Sequence, residues 1–418
     1  MAETKRTVAV IGAGIVGVST AIWLLREGHD VILIDREGPA AGTSFGNGGV
    51  LASCSVVPVT VPGLLRKAPG MLFDPAQPLF LKWRYLPKLM PWLIKYLGTA
   101  NAEAVKRRAK AMTPIIGDSL ADHLALAEGT GAERYIVPTD YLYLYKDRQH
   151  FEADAFGWRI RAESGFAWDE LEGRDWRAYD PHFGPDINFA AKLGNHSRIS
   201  DPGDYVKALA AHAQTQGARF IKAHVDDIVK ESGAVTGVRA GGETIACDSV
   251  VLATGAWSKP LAAKLGLAPP PLESERGYHL ELWEPSIMPR APVMVASGKF
   301  VATPMEGRIR LAGIVEFGGL DAPASRAPFA LLEDNIRAAM PGLTWKHSKE
   351  WMGHRPSMDD SLPAIGAVPG LEGGFVAFGH DHVGLTGGPK TGQIVAQLIS
   401  KKQPNLDLSP YSPARFGR

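Results

Sequence analysis

The residues best placed to do chemistry open the chain. GAGIVG at 12–17 has the spacing G-x-G-x-x-G, and Asp35 follows about twenty residues later. Alone, that glycine spacing is a weak signal. Here it follows a short apolar run, TVAVI at 7–11, suited to a parallel strand buried on both faces. It then opens a helical stretch from Ile15 to Arg26 that Gly28 closes, and a second strand, VILI at 31–34, delivers Asp35. Each glycine has a physical task in binding a dinucleotide. Gly12 permits the tight turn, Gly14 lets backbone approach a pyrophosphate, and Gly17 lets helix and sheet pack closely. The helix N-terminus at Ile15 and Val16 offers free N–H groups and partial positive charge to phosphate. Asp35, with Arg36 beside it, can accept hydrogen bonds from the ribose hydroxyls. The bland alternative is a plain strand–turn–helix.

Three features favour FAD over a nicotinamide cofactor. The motif stands at the N-terminus. A second loop, GTSFGNGG at 42–49, arrives within about thirty residues, where an extended cofactor needs backbone donors. Its candidate contacts are Thr43, Ser44, Asn47, Gly48 and Gly49. A distant apolar strand ends in ATGAWS at 253–258, where Thr254, Gly255 and Trp257 bring backbone close to the same cofactor. A nicotinamide enzyme needs neither of the last two.

The elements that must position these loops can be read coarsely. A proline- and aromatic-rich stretch runs from Pro58 to Gly98, and one long helix is expected within 100–128. A strand at 140–145, a helix at 204–216, a strand at 219–223 and a meander over 225–251 follow, the last turning at Gly233 and Gly241–Gly242. More strands fall within 277–316 and a helix at 329–340. At 373–400 the strand FVAF meets a glycine-rich loop, and Pro389 suits the first turn of the helix after it. The segment FLKWRYLPKLMPWLIKYL at 80–97 interleaves aromatic and basic residues, and Pro87 and Pro91 should break any continuous helix there. It reads either as a membrane-interface segment or as a lid packed over the site.

Bulk properties exclude several classes. At 418 residues two domains are the natural expectation. Lys+Arg 45 against Asp+Glu 44 leaves no basic field for nucleic acid. Two cysteines, Cys54 and Cys247, provide neither a disulfide framework nor a Cys-rich metal site, so no metal is expected. The apolar stretch 8–18 follows Lys5 and Arg6 as a signal core would, but glycines interrupt it and no cleavage pattern follows. No run is long enough to cross a bilayer. A cytoplasmic protein is expected, with a peripheral contact at the inner membrane through 80–97 as the variant.

Taken in order, VAVIGAGIVGVSTAIWLLREGHDVILID, TSFGNGG, ATGAWS, RGYHLEL at 276–282, RIRLAGIVEFGG at 308–319, GHRPSMDDSLPAIG at 353–366 and GHDHVGLTGGPKTG at 379–392 span nearly the whole chain. This series resembles the D-amino acid oxidase/dehydrogenase superfamily, and within it the bacterial FAD-dependent D-amino acid dehydrogenases. The resemblance implies α/β joined to α+β: a Rossmann-like FAD-binding domain of discontinuous segments and a substrate domain with a large antiparallel sheet. The implied ranges are 1–58, 197–270 and 350–405 for FAD binding, 59–196 and 271–349 for substrate, and 406–418 as a C-terminal tail. By motif match Val225 places backbone against adenine and Ser44 contacts phosphate. Gly384, Leu385, Thr386 and Gly387 would bring a helix N-terminus to the flavin edge where negative charge develops on reduction. No covalent attachment of FAD is indicated, although His380 and His382 fall in that loop.

The implied reaction is FAD-dependent oxidative deamination, which asks the protein to orient substrate and tune the flavin rather than to supply a triad. Arg355 in GHRP matches the family's carboxylate-binding arginine, Tyr278 in RGYH a tyrosine that assists it, and His382 is the third candidate catalytic side chain. The structural alternative for Arg355 is an ion pair with Asp359 or Asp360, and for Tyr278 an ordinary strand position. Arg276 is either a second cation or a surface residue. A D-amino acid, cis-4-hydroxy-D-proline, or an N-substituted amino acid such as sarcosine or an opine all fit, as does glycine. The resemblance favours quinone or another carrier as electron acceptor over oxygen.

Overall fold

The strand TVAVI at 7–11 is buried on both faces, with Val8, Ala9 and Val10 fully inaccessible. The computed structural model describes residues 5–64 and 78–417, so residues 65–77 of the proline-rich stretch lie outside the described residues. The first sheet has the order Ala364–Ala367, Gly374–Phe378, Ser249–Leu252, Thr7–Ile11, Asp30–Asp35, Arg219–Lys222. Every neighbouring pair is parallel except the first, which is antiparallel. Strand alternation splits its side chains between two cores. Val8, Val10, Val31, Leu33 and Val251 meet one layer containing helices Ile15–Arg26, Pro202–Thr215 and Gly384–Ile399. Ala9, Ile11, Ile32, Ile34, Val250 and Leu252 meet the other, which holds the meander Val225–Glu231, Ala234–Ala240, Glu243–Ala246.

A second, ten-stranded and mostly antiparallel sheet runs from His347–Met358 through Leu272–Trp283, Arg308–Phe317, Phe300–Met305, Val293–Val295, Ile136–Tyr145 and Phe189–Ile199 to Val50–Leu51. One face packs on helix Ala327–Ala339 through Tyr278, Leu280, Leu311 and Phe329. The opposite face looks toward the first sheet. The boundaries expected at 196/197 and 349/350 fall inside strands Phe189–Ile199 and His347–Met358 of this sheet. Of the expected tail, residues 406–417 are anchored: Tyr411 is buried and its hydroxyl donates to the Ala111 carbonyl, while Arg415 pairs with Asp360 at 2.9 Å.

Three local expectations are corrected. The single helix expected within 100–128 is two, Ala102–Ile116 and Ser119–Ala127, parted at Gly117. Residues Leu86–Gly98 form a continuous helix despite two prolines. Pro87 sits in the first turn, where no amide donor is needed, and the only acceptor that Pro91 deprives is the carbonyl of Pro87. The last helix begins at Gly384, so Pro389 lies inside it rather than in its first turn. Pro389 removes the donor for the Leu385 carbonyl, and buried His123 replaces it, Nε2 donating to Leu385 O at 2.9 Å while Nδ1 accepts from the Tyr205 hydroxyl at 2.8 Å. Ser119 Oγ donates to the next carbonyl, Thr386 O, at 2.9 Å.

Burial pushes the His123 pKa down to about 4. The unfolded chain therefore binds a proton that the folded chain refuses between the ordinary histidine value and about 4. This stability is present above about 6.5 and is lost as pH falls through that window. His123→Asn should lower stability at neutral pH and flatten the acid limb by up to about 1.4 kcal/mol per pH unit. Denaturant unfolding at a series of pH values measures both, and an unchanged slope would count against the assignment.

Candidate functional site

Two glycine contacts and one serine hydrogen bond shape the nucleotide end. Gly12 takes φ 105°, and a Cβ there would overlap the Ala253 carbonyl oxygen, so the first turn and the distant ATGAWS strand end touch backbone to backbone. A Cβ on Gly17 would overlap the Gly12 carbonyl oxygen, which places Gly17 behind the turn rather than on the cavity. Ser44 Oγ accepts the Ile15 N–H at 2.9 Å, bringing the second loop onto the helix N-terminus. Its own proton remains available to a phosphate oxygen. Asp35 is busier than the sequence suggests: Oδ2 accepts the Ala13 N–H at 2.9 Å and Oδ1 accepts those of Glu37 and Gly38 at 2.8 and 2.9 Å. Arg36 stacks on Trp257 at 4.2 Å, and Thr254 Oγ1 lies 3.0 Å from Ser258 Oγ.

The loop at 42–49 is held from the large sheet. Arg310, fully buried, donates to the carbonyls of Phe45 and Asn47 at 2.9 and 2.6 Å. Glu281 balances it, with Oε1 2.6 Å from Arg310 Nη2 and 2.7 Å from Arg308 Nε. Burial alone would raise the Glu281 carboxyl, but the two guanidiniums outweigh it and hold the pKa at about 2. Thr43 Oγ1 donates to His354 O at 2.7 Å, and His279 donates to Gly46 O at 3.0 Å. Sequence reasoning quoted both strands but missed this cluster; the two arginines of RIRLAG, alternating onto one strand face with apolar neighbours between, were the available signal.

These segments wall one continuous cavity of roughly 1220 Å³. Of the expected contacts, Gly12, Gly14, Ile15, Val16, Asp35, Arg36, Thr43, Ser44, Asn47, Gly48, Val225, Thr254, Gly255, Trp257, Gly384, Leu385 and Thr386 line it. Gly49 and Gly387 do not. Gly49 packs against Met305 and the Ile199 carbonyl, and Gly387 against Ile115, because each needs to clear a neighbour behind the wall. Gly384, Leu385 and Thr386 form the first turn of Gly384–Ile399, whose leading N–H groups have no acceptor within a helix.

Arg355, His382 and Tyr278 all line this cavity, but the Tyr278 hydroxyl is engaged on the other side of its strand. Arg355 lies flat on the neighbouring strand, since a Cβ on Gly277 would stand 2.6 Å from its Cζ. Its ion pair is with Glu275 at 3.0 Å, not with Asp359 or Asp360. His382 is exposed within the cavity, and enclosure there lowers its pKa. Asp381 adopts φ 47° and accepts the Met358 N–H at 3.0 Å, fixing the loop that carries His382. Tyr278 occupies the other strand parity. Its hydroxyl donates to Glu316 at 2.6 Å and accepts from Ser325 N at 3.0 Å, so its proton is spent away from Arg355. Arg276 is likewise neither a second site cation nor a surface residue: it is fully buried against Glu316 at 2.8 Å.

Residues 7–398 match the family described as FAD dependent oxidoreductase. The chain is 42% identical to a D-amino-acid oxidase of Bradyrhizobium diazoefficiens over 98% of this chain and 99% of that one. It is 30% identical to a D-amino acid dehydrogenase of Rhizobium rhizogenes, covering 98% and 100%. The glycine oxidase structure from Geobacillus kaustophilus superposes with TM-score 0.75 at 23% identity, covering 98% of this chain and 99% of that one.

Gly277→Ala should displace the Arg355 guanidinium without touching the nucleotide end. Affinity for carboxylate ligands is expected to fall about tenfold or more, with the thermal melt nearly unchanged. Titration with benzoate checks this; parent-like binding would mean that Arg355 does not hold the carboxylate.

Proposed function

The chain belongs to the FAD-dependent oxidoreductase family, and from that premise we propose that it oxidises a D-amino acid to its imine, which water hydrolyses to a 2-oxo acid and ammonia. The observation that carries the reading is Arg355: a half-buried guanidinium on the cavity wall, laid over Gly277 and still holding unused donors. A planar fork of this kind suits a carboxylate held in two parallel hydrogen bonds. The two relatives, a D-amino-acid oxidase and a D-amino acid dehydrogenase, support a D-amino acid as the substrate.

The residues present fit FAD. Gly12 lets the first turn meet the Ala253 strand end, Gly14 lets Ser44 close on the helix N-terminus, where both its Oγ–H and the leading N–H groups suit a pyrophosphate, and Gly384–Thr386 present a second set of amides on the same cavity. FAD supplies the acceptor for the hydride leaving Cα. The chain's own residues do the rest. Arg355 fixes the carboxylate, and Leu89, Leu93, Tyr96 and Val315 give the substrate end an apolar wall that limits water. The N-substituted and cyclic substrates weighed from the sequence fit the same carboxylate anchor.

The two named relatives differ in acceptor, one an oxidase and one a dehydrogenase. A carrier such as quinone is favoured here by the outer face of helix Leu86–Gly98, where Met90 and Ile94 are exposed beside Lys88 and Lys95. No helix among the described residues is long and apolar enough to cross a membrane, so such a contact would be peripheral. Dye or quinone-analogue reduction should outpace peroxide release; comparable rates would make the enzyme an oxidase.

Anaerobic mixing with a panel of D-, L- and N-alkyl amino acids tests the substrate class, D-amino acids being expected to bleach the flavin fastest. Arg355→Ala should lower the second-order reduction rate by roughly two to four orders of magnitude with FAD content retained, and Arg355→Lys should recover part of it. A variant that melts early yet reduces its flavin at the parent rate would end the carboxylate-clamp reading.

A further inference from the structure

Glu275 is the one carboxylate in ion-pair contact with Arg355, and the role of Arg355 as a carboxylate clamp leaves it unexplained. It stands on Leu272–Trp283 directly across from Arg355 on His347–Met358, and both side chains line the cavity. The large sheet's scaffold pairs are built differently. Glu281 receives three guanidinium N–H groups on one oxygen, and Arg310 spends the rest of its donors on backbone carbonyls. The Arg355–Glu275 pair makes a single hydrogen bond of 3.0 Å. Among the described residues, no donor serves the other oxygen of Glu275 and no acceptor serves the remaining N–H groups of Arg355. Both side chains retain some exposure, 15% for Arg355 and 10% for Glu275.

The pair thus presents a cation and an anion side by side with unused valence on each. An α-amino acid carries the matching dipole, a carboxylate and an ammonium on one carbon. Other groups around Glu275 do not supply a competing charge of the right sign. Desolvation and Glu275 itself push Asp381 well up, and enclosure in the cavity lowers His382, each shift opposing the charged form; Tyr96 borders the same end. Resting on the reading of Arg355 as the carboxylate clamp, we propose that Glu275 is the amine-binding residue of the substrate site. In the resting protein it keeps the guanidinium flat against Gly277. When the substrate carboxylate takes Arg355, Glu275 transfers its hydrogen bond to the substrate ammonium. A ligand that has a carboxylate but no amine must displace Glu275 and offers nothing in return.

The test uses the FAD-loaded enzyme, Glu275→Gln, and two probes: benzoate, followed by the flavin absorbance change, and the D-amino acid that bleaches the flavin fastest, followed by the concentration dependence of anaerobic reduction. Loss of the charge should weaken the amino acid about ten- to a hundredfold and tighten benzoate several-fold, because Arg355 is released. Opposite signs are the signature; a structural role would weaken both probes together. Changes of the same sign, or no change in either, overturn the proposal. Glu275→Asp keeps the charge but withdraws it from Arg355, and serves if the glutamine variant fails to fold. It should tighten benzoate while weakening the amino acid less than glutamine would. Arg355→Ala separates the two readings: if it leaves benzoate binding intact, the clamp itself fails, whereas lost benzoate binding with same-sign effects at Glu275 removes only the amine assignment.

Discussion

The loop at 42–49 belongs by sequence to the first sheet and by contact to the second, and the buried Glu281–Arg310 pair is what joins them. Arg310 reaches the carbonyls of Phe45 and Asn47, while Ser44, one residue before Phe45, accepts the Ile15 N–H at the head of the first helix. The first helix N-terminus and the cavity face of the large sheet are therefore positioned relative to each other by a few residues of one loop. A guanidinium left without Glu281 in this enclosure would cost about 3–5 kcal/mol, more than most single contacts in the chain can offset. The three donors converging on one carboxylate oxygen keep the pair from being a net liability.

Around that anchor the helices that border the cavity are held by close approaches of backbone at glycines. Gly12 against Ala253, Gly388 against Ile15 and Gly392 against Ser19 are contacts that any Cβ would push apart. The two helices whose N-termini face the cavity, Ile15–Arg26 and Gly384–Ile399, pack on each other through the last two of these glycines. Their dipoles consequently point at the same cavity from adjacent positions. The interruption that Pro389 makes in the second helix is tolerated because His123 and Ser119 take up the carbonyls at 385 and 386.

Much of this was legible in the sequence where one local rule decided the outcome. The first βαβ unit, the meander, the strand into ATGAWS and the C-terminal strand–loop–helix all follow from apolar period and glycine position. Strand His347–Met358 was not, since HSKEWMGHRPSM is polar and contains Pro356. It is an edge strand, where a missing amide donor is tolerated, and only the pairing with Leu272–Trp283 reveals it. Without that register neither Glu275 opposite Arg355 nor the opposite facing of Tyr278 can be deduced. The motif RGYH marks the strand that borders the cavity, and the direction of the Tyr278 hydroxyl, toward Glu316, appears only in the structure. Proline at 91 misled for a related reason: the rule against proline in helices weakens when the carbonyl it strands lies in the first turn.

The face of the large sheet that looks onto the cavity carries its charges in two states. Glu281, Arg308 and Arg310 are saturated by one another, by Asp201 and by loop carbonyls, and a ligand can gain nothing from them. On the reverse face Glu316 pairs with Arg276 and accepts from Tyr278 and Ser325, while Arg276 Nε is buried without a partner among the described residues. Arg355 and Glu275 alone among these strand charges hold each other by one bond and keep the rest of their hydrogen-bonding capacity open to the cavity. Gly277 makes this arrangement possible: any side chain there would lift the guanidinium from the strand and set its direction by sterics instead of by charge. On the cavity face, scaffold charge and open charge thus differ in how completely each is satisfied, since Glu281, Arg308, Arg310, Glu275 and Arg355 are buried or nearly so and lie on three neighbouring strands.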